Sequence, residues 1–296
     1  MGRALADAHA EARAVFDEAE AALPGLTEII FDGPEDELTL TQNAQPAILT
    51  VSIAAQRVLA ARGLQPSYVA GHSLGEYSAN VAAQTMGFAD AVKVVRRRGQ
   101  YMQEAVPVGA GAMAAILGLD GDTVARACEE AAQGEVVSPA NINGAGQVVI
   151  AGATDAVKRA GERAKALGAK RVIPLSVSAP FHCALLKPAE DRLEPDLRAI
   201  AVADPRMPIV ANVDAEPKRD ARSAIDALVR QVSAPVRWEQ VVRRLASEGV
   251  TNYVEVGPGT VLSGLIKKID RNATVFNFAQ PDDLAALEEG LAKWKT

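Results

Sequence analysis

A serine between two glycines is the clearest chemical signal in this sequence. Gly71-His72-Ser73-Leu74-Gly75 follows the short apolar run Tyr68-Val69-Ala70 and precedes a segment, 76–84, that is typical of a helix. In a strand-to-helix turn of this kind the serine hydroxyl projects clear of the backbone, and glycines avoid side-chain collisions at the tight crossing. The pattern predicts that Ser73 is a nucleophile, although an ordinary glycine-rich turn has the same composition.

A serine hydroxyl needs a base, and the sequence contains three histidines, His9, His72 and His182. Histidine suits this role because its pKa lies close to neutral pH. His9 falls on a helix that we expect to face solvent, and the side chain of His72 should leave the strand on the side opposite to Ser73. His182, in the proline-stiffened loop Ser178-Ala179-Pro180-Phe181-His182-Cys183, is the predicted base, with a buried structural histidine as the alternative. An acid, an amide or a backbone carbonyl could orient its imidazole.

The last of three consecutive arginines is predicted to be buried. Phe88, Val92 and Val95 repeat at helical spacing, and the same stripe continues through Arg98. A buried guanidinium must meet an anion, because removing an unpaired charge from water is costly. We expect Arg98 to bind a carboxylate through its bidentate fork, and if no carboxylate of the protein meets it, the anion belongs to the substrate.

Composition narrows the classes of partner and cofactor. The 296 residues carry a net charge of -6, which argues against nucleic acid and against attraction to anionic membranes. The sequence has no secretory segment and no apolar run near the roughly 18 residues of a membrane span, and its two cysteines, Cys128 and Cys183, are far apart. We therefore expect a cytoplasmic protein. The spacing of histidines and cysteines matches no usual metal site, so no metal is predicted. A nucleophilic Cys183 is disfavoured because adjacent residues rarely face each other.

The elements that must position these residues alternate between helices and strands. A helix over 3–23, a second one opening at Gln45-Pro46 and the strand before Ser73 predict a parallel sheet covered by helices. Between 109 and 175 the order becomes β-α-β-β-α-β, the ferredoxin-like split unit. After Ser176 the alternation of helices and strands resumes, so the small unit is predicted to be an insertion in the larger one.

These residues belong to segments that together resemble one family, the malonyl-CoA:acyl carrier protein transacylases of fatty acid synthesis. The segments occur in the family's order across nearly the whole chain, and together they are highly specific. They are Gln45-Pro46-Ala47, Gly71-His72-Ser73-Leu74-Gly75-Glu76-Tyr77-Ser78, Arg98-Gly99, Gly111-Ala112-Met113-Ala114, Asn141-Ile142-Asn143, Gly146-Gln147-Val148-Val149-Ile150-Ala151-Gly152, Pro180-Phe181-His182 and Glu255-Val256-Gly257-Pro258-Gly259.

The resemblance implies an α/β fold with two parts. Residues 1–106 and 178–296 would form an α/β-hydrolase-like large subdomain with a mostly parallel sheet, and residues 107–177 an inserted ferredoxin-like small subdomain. It also implies an acyltransferase that moves the malonyl group from malonyl-CoA to the phosphopantetheine thiol of acyl carrier protein through a malonyl-serine intermediate. We expect no cofactor beyond these substrates, and a monomer.

Positions in the family's motifs suggest the role of each residue in the site. Ser73 looks like the acylated nucleophile and His182 like its base, while Gln231 resembles the residue whose backbone carbonyl orients the histidine. Arg98 looks like the residue that grips the malonyl carboxylate. The amide of Leu74, the residue after the nucleophile, would donate to the oxyanion.

Further contacts with the two substrates follow from the same resemblance. Asn141, Asn143 and Phe181 are expected at the substrate site, where Phe181 would limit room at the malonyl α-carbon and disfavour methylmalonyl. An acidic carrier protein would meet basic residues near the cleft between the subdomains, although plain surface charge is an equal alternative for each. These basic residues are Lys165, Lys170, Arg171 and Lys187.

The sequence departs from the family at its start. Members of the family begin with a strand and a Gly-Gln-Gly-Ser-Gln turn whose first glutamine amide is a second oxyanion donor, whereas this sequence begins at Met1-Gly2-Arg3. The resemblance therefore predicts a missing strand and a missing donor, through a mis-assigned start codon or a truncated sequence. Two other functions stay open: a serine esterase or thioesterase, and a carrier-protein-binding module with impaired catalysis. A transacylase of polyketide synthesis would share the same residues.

Overall fold

The structure, a computed structural model, describes residues 1–177 and 179–294. Ser178, the first residue of the predicted histidine loop, and residues 295–296 lie outside the described residues. The helices are α1 (Arg3–Ala8), α2 (Ala10–Ala22), α3 (Leu26–Asp32), α4 (Glu35–Thr39), α5 (Thr41–Ala61), α6 (Leu74–Ala82), α7 (Phe88–Glu104), α8 (Gly121–Ala131), α9 (Thr154–Ala166), α10 (Lys187–Ala199), α11 (Ala221–Gln231), α12 (Trp238–Ser247), α13 (Val261–Ile269) and α14 (Asp283–Trp294). The strands are β1 (Val69–Ala70), β2 (Gly111–Leu117), β3 (Val137–Gly144), β4 (Gln147–Ala153), β5 (Arg171–Pro174), β6 (Ile209–Val210), β7 (Pro217–Lys218), β8 (Asn252–Val256) and β9 (Thr274–Phe278).

The larger part of the molecule contains mostly parallel strands, as predicted. β1 pairs in parallel with β6, β6 pairs antiparallel with β7, and β8 pairs in parallel with β9. A cavity of about 550 Å³ lies between β1 and β8, and within the described chain each of these two strands pairs on one side only. β1 leads directly to Ser73, so the strand order places the predicted nucleophile at the carboxyl end of a parallel pair.

Helix α5 forms the centre of the large hydrophobic core. Its side chains Leu49, Ile53 and Val58 are almost completely buried among residues of α2, α6 and α7. Burial of one such side chain contributes about 1.5–3 kcal/mol to the free energy of folding. Because α5 is apolar on most of its faces, many such contributions hold it in place. The start of α5 thereby becomes a rigid support for the polar side chain of Gln45, which is itself buried.

The smaller part forms the predicted ferredoxin-like unit. Its strands lie in the order β3-β4-β2-β5 with antiparallel pairing throughout, and α8 and α9 pack on the sheet through a separate apolar cluster. Asp120 caps α8 by accepting a hydrogen bond from the backbone N–H of Thr123. Cys128 is buried in this cluster, so its thiol packs as an apolar side chain. The division of the chain at residues 107 and 177 stays a prediction.

Two predicted helices differ from the observed ones. The helix predicted over 3–23 is two helices, broken at His9, whose extended backbone has φ -134° and whose ring is half-buried rather than solvated. The second helix begins at Thr41, so Pro46 lies inside it and cannot donate to the carbonyl of Gln42. The guanidinium of Arg96 donates to this carbonyl instead, at 3.2 Å. Arg96 is therefore more than a solvated surface charge.

Several elements of the structure were not predicted from the sequence. These are the short helices α3 and α4, the two-residue strand β7, and β9, which completes a parallel pair with β8. Short elements carry few periodic positions, and their existence depends on the neighbour they pack against. No helix in residues 1–177 and 179–294 is both long and apolar enough to cross a membrane.

Candidate active site

The turn between β1 and α6 holds Ser73 in a strained backbone conformation. Its φ is 51° and its ψ -106°, in a region that non-glycine residues rarely adopt. A Cβ on Gly71 would lie 2.1 Å from the backbone carbonyl carbon of Gly75, whereas a Cβ on Gly75 would meet nothing within 4 Å. The steric need for glycine is therefore confined to Gly71. The expectation that both glycines avoid collisions was wrong for Gly75.

Ser73, His182 and Gln231 form a hydrogen-bonded series. The Oγ of Ser73 lies 2.8 Å from Nε2 of His182, and Nδ1 of His182 lies 2.9 Å from the backbone carbonyl oxygen of Gln231. Because a carbonyl oxygen can only accept, Nδ1 carries the proton and Nε2 is free to accept one from the serine. Like Ser73, His182 has a positive φ, 60°. The geometry is that of a nucleophile, a base and an orienting group.

Burial keeps the imidazole of His182 neutral. Burial and, to a smaller extent, the positive charge of Arg98 lower the pKa of His182 to about 3, although the hydrogen bond to the Gln231 carbonyl acts in the opposite direction. A ring with this pKa is unprotonated at neutral pH, so its Nε2 lone pair is available to accept the serine proton.

Arg98 is buried against the same serine, with 2 % of its surface exposed. Its guanidinium donates to the side-chain oxygens of Gln45 at 2.7 Å and Gln231 at 2.9 Å, and to the Oγ of Ser73 at 3.2 Å. Within the described chain no carboxylate forms an ion pair with it, and its Nε has no hydrogen-bond acceptor. The protein thus surrounds this cation with neutral amide oxygens. The sequence analysis predicted that, if no carboxylate of the protein meets Arg98, its partner is an anion of the substrate.

A close approach of two helices places Arg98 beside Gln45. A Cβ on Gly99 would lie 2.6 Å from the Cα of Gln42 and 2.7 Å from the carbonyl oxygen of Thr41, so only glycine lets α7 meet the start of α5. The Tyr77 ring lies on another side of the guanidinium, with its centroid 5.2 Å from Cζ. Burial lowers the pKa of Arg98, and a guanidinium nevertheless stays charged in proteins.

Leu74 opens α6 immediately after the strained serine. The first backbone N–H groups of a helix have no intrahelical acceptor. No acceptor for the Leu74 amide occurs in residues 1–177 and 179–294, whereas the Gly75 and Glu76 amides donate to the carbonyls of His72 and Ser73. The predicted oxyanion donor is therefore unpaired and lies at the positive end of a helix.

Three polar residues of the site have roles that sequence reasoning did not assign: Gln45, Glu76 and Asn212. Gln45 and Glu76 belong to segments that resemble the transacylase family, and Asn212 follows β6. The Asn212 side chain accepts from the Ser73 N–H at 2.7 Å and donates to the carbonyl of Gly71 at 2.8 Å, so it bridges the two sides of the turn. Asn212 is a polar residue just beyond the carboxyl end of β6, which pairs in parallel with β1, and polar residues at such strand ends commonly face a site.

The remaining predicted substrate residues lie at different depths. Asn141 and Asn143 on β3 are buried, and the Oδ1 of Asn143 lies 2.9 Å from Nε2 of His72. This pairing turns the His72 ring away from Ser73, as expected. Phe181 precedes His182 and packs half-buried against the large core. The contacts of all three residues with substrate stay predictions.

The four basic residues predicted to meet a carrier protein are all exposed. Lys187 already forms ion pairs with Glu190 and Asp191 of its own helix, so its positive charge is partly neutralised. The carrier contact stays a prediction for all four.

No group of three or more histidine, cysteine or carboxylate side chains in the described part of the chain is placed to hold a metal ion.

Comparison with known proteins gives one consistent family. The acyl transferase domain family matches residues 1–282. The malonyl CoA-acyl carrier protein transacylase of Escherichia coli strain K12 is 51% identical over 276 residues, which cover 93% of this chain and 89% of the relative. The enzyme of the same name from Bacillus subtilis strain 168 is 45% identical over 286 residues, covering 96% and 90% of the two chains.

Solved structures agree with this match. The acyl carrier protein S-malonyltransferase of Vibrio cholerae superposes with a TM-score of 0.95 at 47% identity, covering 97% of this chain and 94% of that one. A malonyl-transacylase solved in complex with a type II PKS acyl-carrier protein also gives a TM-score of 0.95, at 46% identity and with 98% and 94% coverage. The chain therefore belongs to the acyl transferase family, among the malonyl CoA-acyl carrier protein transacylases.

Proposed function

We propose that this protein transfers the malonyl group of malonyl-CoA to the phosphopantetheine thiol of acyl carrier protein. The observation that carries the proposal is the position of Arg98, a buried cation without a carboxylate partner in the described chain, 3.2 Å from the Oγ of Ser73. A guanidinium there suits an acyl group that carries its own carboxylate. Relatives named malonyl CoA-acyl carrier protein transacylases, and the complex of one such enzyme with a carrier protein, support the same reaction.

The first half-reaction acylates Ser73. The malonyl carboxylate binds Arg98, and the thioester carbonyl oxygen accepts a hydrogen bond from the Leu74 amide. As the Oγ of Ser73 attacks the carbonyl carbon, its proton passes to Nε2 of His182, and Nδ1 keeps its hydrogen bond to the Gln231 carbonyl. The tetrahedral intermediate collapses with cleavage of the carbon–sulfur bond. The departing thiolate of coenzyme A takes the proton back from His182.

The second half-reaction repeats these steps with a different thiol. The phosphopantetheine thiol gives its proton to Nε2 of His182 and attacks the carbonyl carbon of the malonyl-serine ester. The carbon–oxygen bond then breaks, and His182 returns the proton to the Oγ of Ser73. Because the first product leaves before the carrier protein binds, the cycle is of the ping-pong type.

The substrate carboxylate also changes the basicity of the histidine. The positive charge of Arg98 lowers the pKa of His182. A carboxylate bound to Arg98 neutralises this charge at the site, so the pKa of His182 rises when malonyl-CoA is in place. A malonyl group therefore binds Arg98 and also makes the base stronger, whereas an acetyl group has no carboxylate with which to do either. This coupling favours malonyl transfer in the chemical step as well as in binding.

The experiment that tests the proposal measures two products. The protein is incubated with malonyl-CoA alone and its intact mass is recorded, and holo acyl carrier protein is then added. We expect one malonyl group on the protein, on a peptide containing Ser73, and its movement to the carrier thiol on addition of the carrier. Release of free malonate at the rate of coenzyme A release would instead identify a hydrolase, and absence of the adduct would identify a binding module.

A hydrolase fits the site less well than a transferase. Activation of water requires the serine and the histidine but no buried arginine beside the nucleophile. The two residues are present in either class, so the discriminating feature is the guanidinium. The relatives and solved structures named above are transferases and support the same choice.

We propose three further properties that accompany this function. The reaction uses groups of the chain without metal or other cofactor, so dialysis against EDTA should leave the transfer rate unchanged. The protein acts in the cytoplasm, so fractionation should recover it apart from membranes. It acts as a monomer, so light scattering should give the mass of one chain.

A further inference from the structure

Glu76 is a buried carboxylate that the proposed mechanism does not use. It lies in the first turn of α6, three residues after Ser73, and only 1 % of its surface is exposed. In residues 1–177 and 179–294, no lysine, arginine or histidine forms an ion pair with it. A carboxylate at this depth without a salt bridge is costly, so its hydrogen bonds must account for its presence.

The spacing of Ser73 and Glu76 is that of a capping box, but the structure shows another arrangement. In a capping box the serine side chain accepts from the N–H three residues on, and the glutamate side chain accepts from the serine N–H. Here the Ser73 side chain makes no capping bond and its N–H donates to Asn212. The Ser73 hydroxyl is therefore available to hydrogen-bond His182, and the Glu76 carboxylate is available to accept hydrogen bonds from other donors.

A single oxygen of Glu76 joins the two residues that hold the serine backbone. Its Oε2 accepts from the backbone N–H of Asn212 at 2.9 Å and from the side-chain Nε2 of Gln231 at 2.8 Å. The side chain of Asn212 accepts from the Ser73 N–H at 2.7 Å, and the Nε2 of Gln231 also donates to the Ser73 carbonyl at 2.9 Å. The N–H and the carbonyl of Ser73 are thus hydrogen-bonded to two residues, Asn212 and Gln231, that both donate to Glu76.

The same carboxylate orients the amide that faces Arg98. Because Nε2 of Gln231 donates to Glu76, its Oε1 must point the other way, where it accepts from Arg98 at 2.9 Å. A reversed amide would present N–H groups to the guanidinium and lose both bonds. The orientation of Gln231, and through it the position of the Arg98 fork, therefore depends on Glu76.

We propose that Glu76 is a positioning residue for acyl transfer: through Asn212 and Gln231 it holds the strained backbone of Ser73 and orients the amide that supports Arg98. This inference rests on the proposed function, because that function defines the reaction in which Glu76 takes part. It concerns the geometry of the nucleophile, which can be measured without a malonyl donor.

The charges around Glu76 determine how this role depends on pH. Burial is the dominant effect and raises the pKa of Glu76, the hydrogen bonds from Asn212 and Gln231 lower it, and of the nearby charges Asp214, after β6, raises it and Arg98 on α7 lowers it. The net pKa is about 7. Tyr77 has a pKa raised to about 12 and His182 one lowered to about 3, so neither changes charge near neutral pH. A protonated carboxyl accepts weaker hydrogen bonds than a carboxylate does, so positioning should weaken as the pH falls through 7.

The test compares two substitutions of Glu76 with a control. Glu76→Ala removes the anchor, whereas in Glu76→Gln the amide oxygen can replace Oε2 and keep both hydrogen bonds without a titratable group. Glu20→Gln is the matched control, because Glu20 also accepts two hydrogen bonds, in its case both from backbone N–H groups, those of Gly25 and Thr27. For each protein we would measure the single-turnover rate of Ser73 acylation, KM for malonyl-CoA, and the thermal midpoint.

A displacement of reacting atoms by about 1 Å can cost about 100-fold in rate, so we expect Glu76→Ala to slow acylation by roughly this factor with a smaller change in KM. Glu76→Gln should keep the rate within about 10-fold of wild type. We expect the wild-type rate to rise between pH 6 and 8, Glu20→Gln to keep this rise, and Glu76→Gln to lose it. If Glu76→Ala keeps the wild-type thermal midpoint and acylates Ser73 at the wild-type rate, the proposal is overturned. If that variant does not fold, a Glu76→Gln profile identical to wild type would overturn it.

A second readout separates this inference from the proposed function. A sulfonyl fluoride modifies an activated serine whatever its acyl donor is. Slow sulfonylation of Ser73 in Glu76→Ala, beside fast sulfonylation in wild type, supports the positioning role even if malonyl-CoA proves not to be the substrate. Equal sulfonylation of the two folded proteins rejects that role even if malonyl transfer by wild type is established.

Discussion

The Oγ of Ser73 lies 2.8 Å from Nε2 of His182, although 109 residues separate the two in the sequence. The small antiparallel unit β2–β5 occupies most of the chain between them, and the chain returns from this unit directly into the histidine loop. Both residues have a positive φ, so the contact joins two strained positions of the backbone. Strain of this kind persists only where surrounding contacts fix it, and it concentrates at functional sites.

Replacement of the nucleophile should abolish adduct formation. We expect Ser73→Ala to form no malonyl-protein adduct and to lose about 10³-fold or more in transfer rate, because the change removes the hydroxyl that lies 2.8 Å from Nε2 of His182. Ser78→Ala, a change in the same helix, is the control and should retain the adduct. Intact mass measurement after incubation with malonyl-CoA checks both. An adduct on Ser73→Ala would assign the nucleophile elsewhere.

Removal of the buried guanidinium should discriminate between acyl groups. Breaking a buried charge pair costs about 3–5 kcal/mol, so we expect Arg98→Ala to lose about 10²–10⁴-fold in malonyl transfer and much less in acetyl transfer. Arg97→Ala is the control, since Arg97 is exposed and forms its ion pair with Asp196, at 2.6 Å, on the surface. The ratio of the two transfer rates is the measurement. Equal losses for both acyl groups would exclude a carboxylate-binding role.

The two glycines of the nucleophile turn should differ in their tolerance of a methyl group. A Cβ at position 71 would lie 2.1 Å from backbone atoms, which cannot withdraw, whereas a Cβ at position 75 meets nothing within 4 Å. We expect Gly71→Ala to lower the free energy of unfolding by about 3 kcal/mol or more and Gly75→Ala to change it by less than about 1 kcal/mol. Urea denaturation of both variants measures the difference. Similar values for the two would contradict this account of the turn.

The stability of Glu76→Gln should diverge from that of wild type as the pH rises. Burial raises the pKa of Glu76 from 4.5 to about 7, so the folded state binds the extra proton between these values and wild type loses stability as pH increases through them. We expect the free energy of unfolding of Glu76→Gln, relative to wild type, to increase by on the order of 3 kcal/mol between pH 4.5 and 7.

Denaturation curves of both proteins at several pH values check this prediction. His182 contributes in the opposite sense, because its pKa is lowered to about 3 and the folded state loses stability as the pH falls below 6.5. Both proteins contain His182, so its contribution cancels in the comparison. A difference that stays constant between pH 4.5 and 7 would show that Glu76 does not titrate in this range.

Local patterns in the sequence were sufficient to choose Ser73, His182 and Arg98, which the structure brings together. The glycine before Ser73 and the apolar run preceding it indicate a strand-to-helix turn, and the stripe from Phe88 to Arg98 indicates burial, because both signals depend on neighbours in the chain. The alternation of elements predicted mostly parallel strands and the ferredoxin-like unit for the same reason. The resemblance to one family added the orienting carbonyl of Gln231, which lies 2.9 Å from His182.

Contacts between distant segments could be decided only by the tertiary structure. Gln45 meets Arg98 because Gly99 lets two helices touch, and Glu76 meets Gln231 across 155 residues of sequence. No periodicity within one element specifies the partner of a buried polar group, since any donor or acceptor of suitable geometry satisfies it. The sequence alone thus determined which side chains can carry the chemistry. Packing of the folded chain decided that Arg98 faces amides rather than a carboxylate, and that one buried glutamate holds the serine in place.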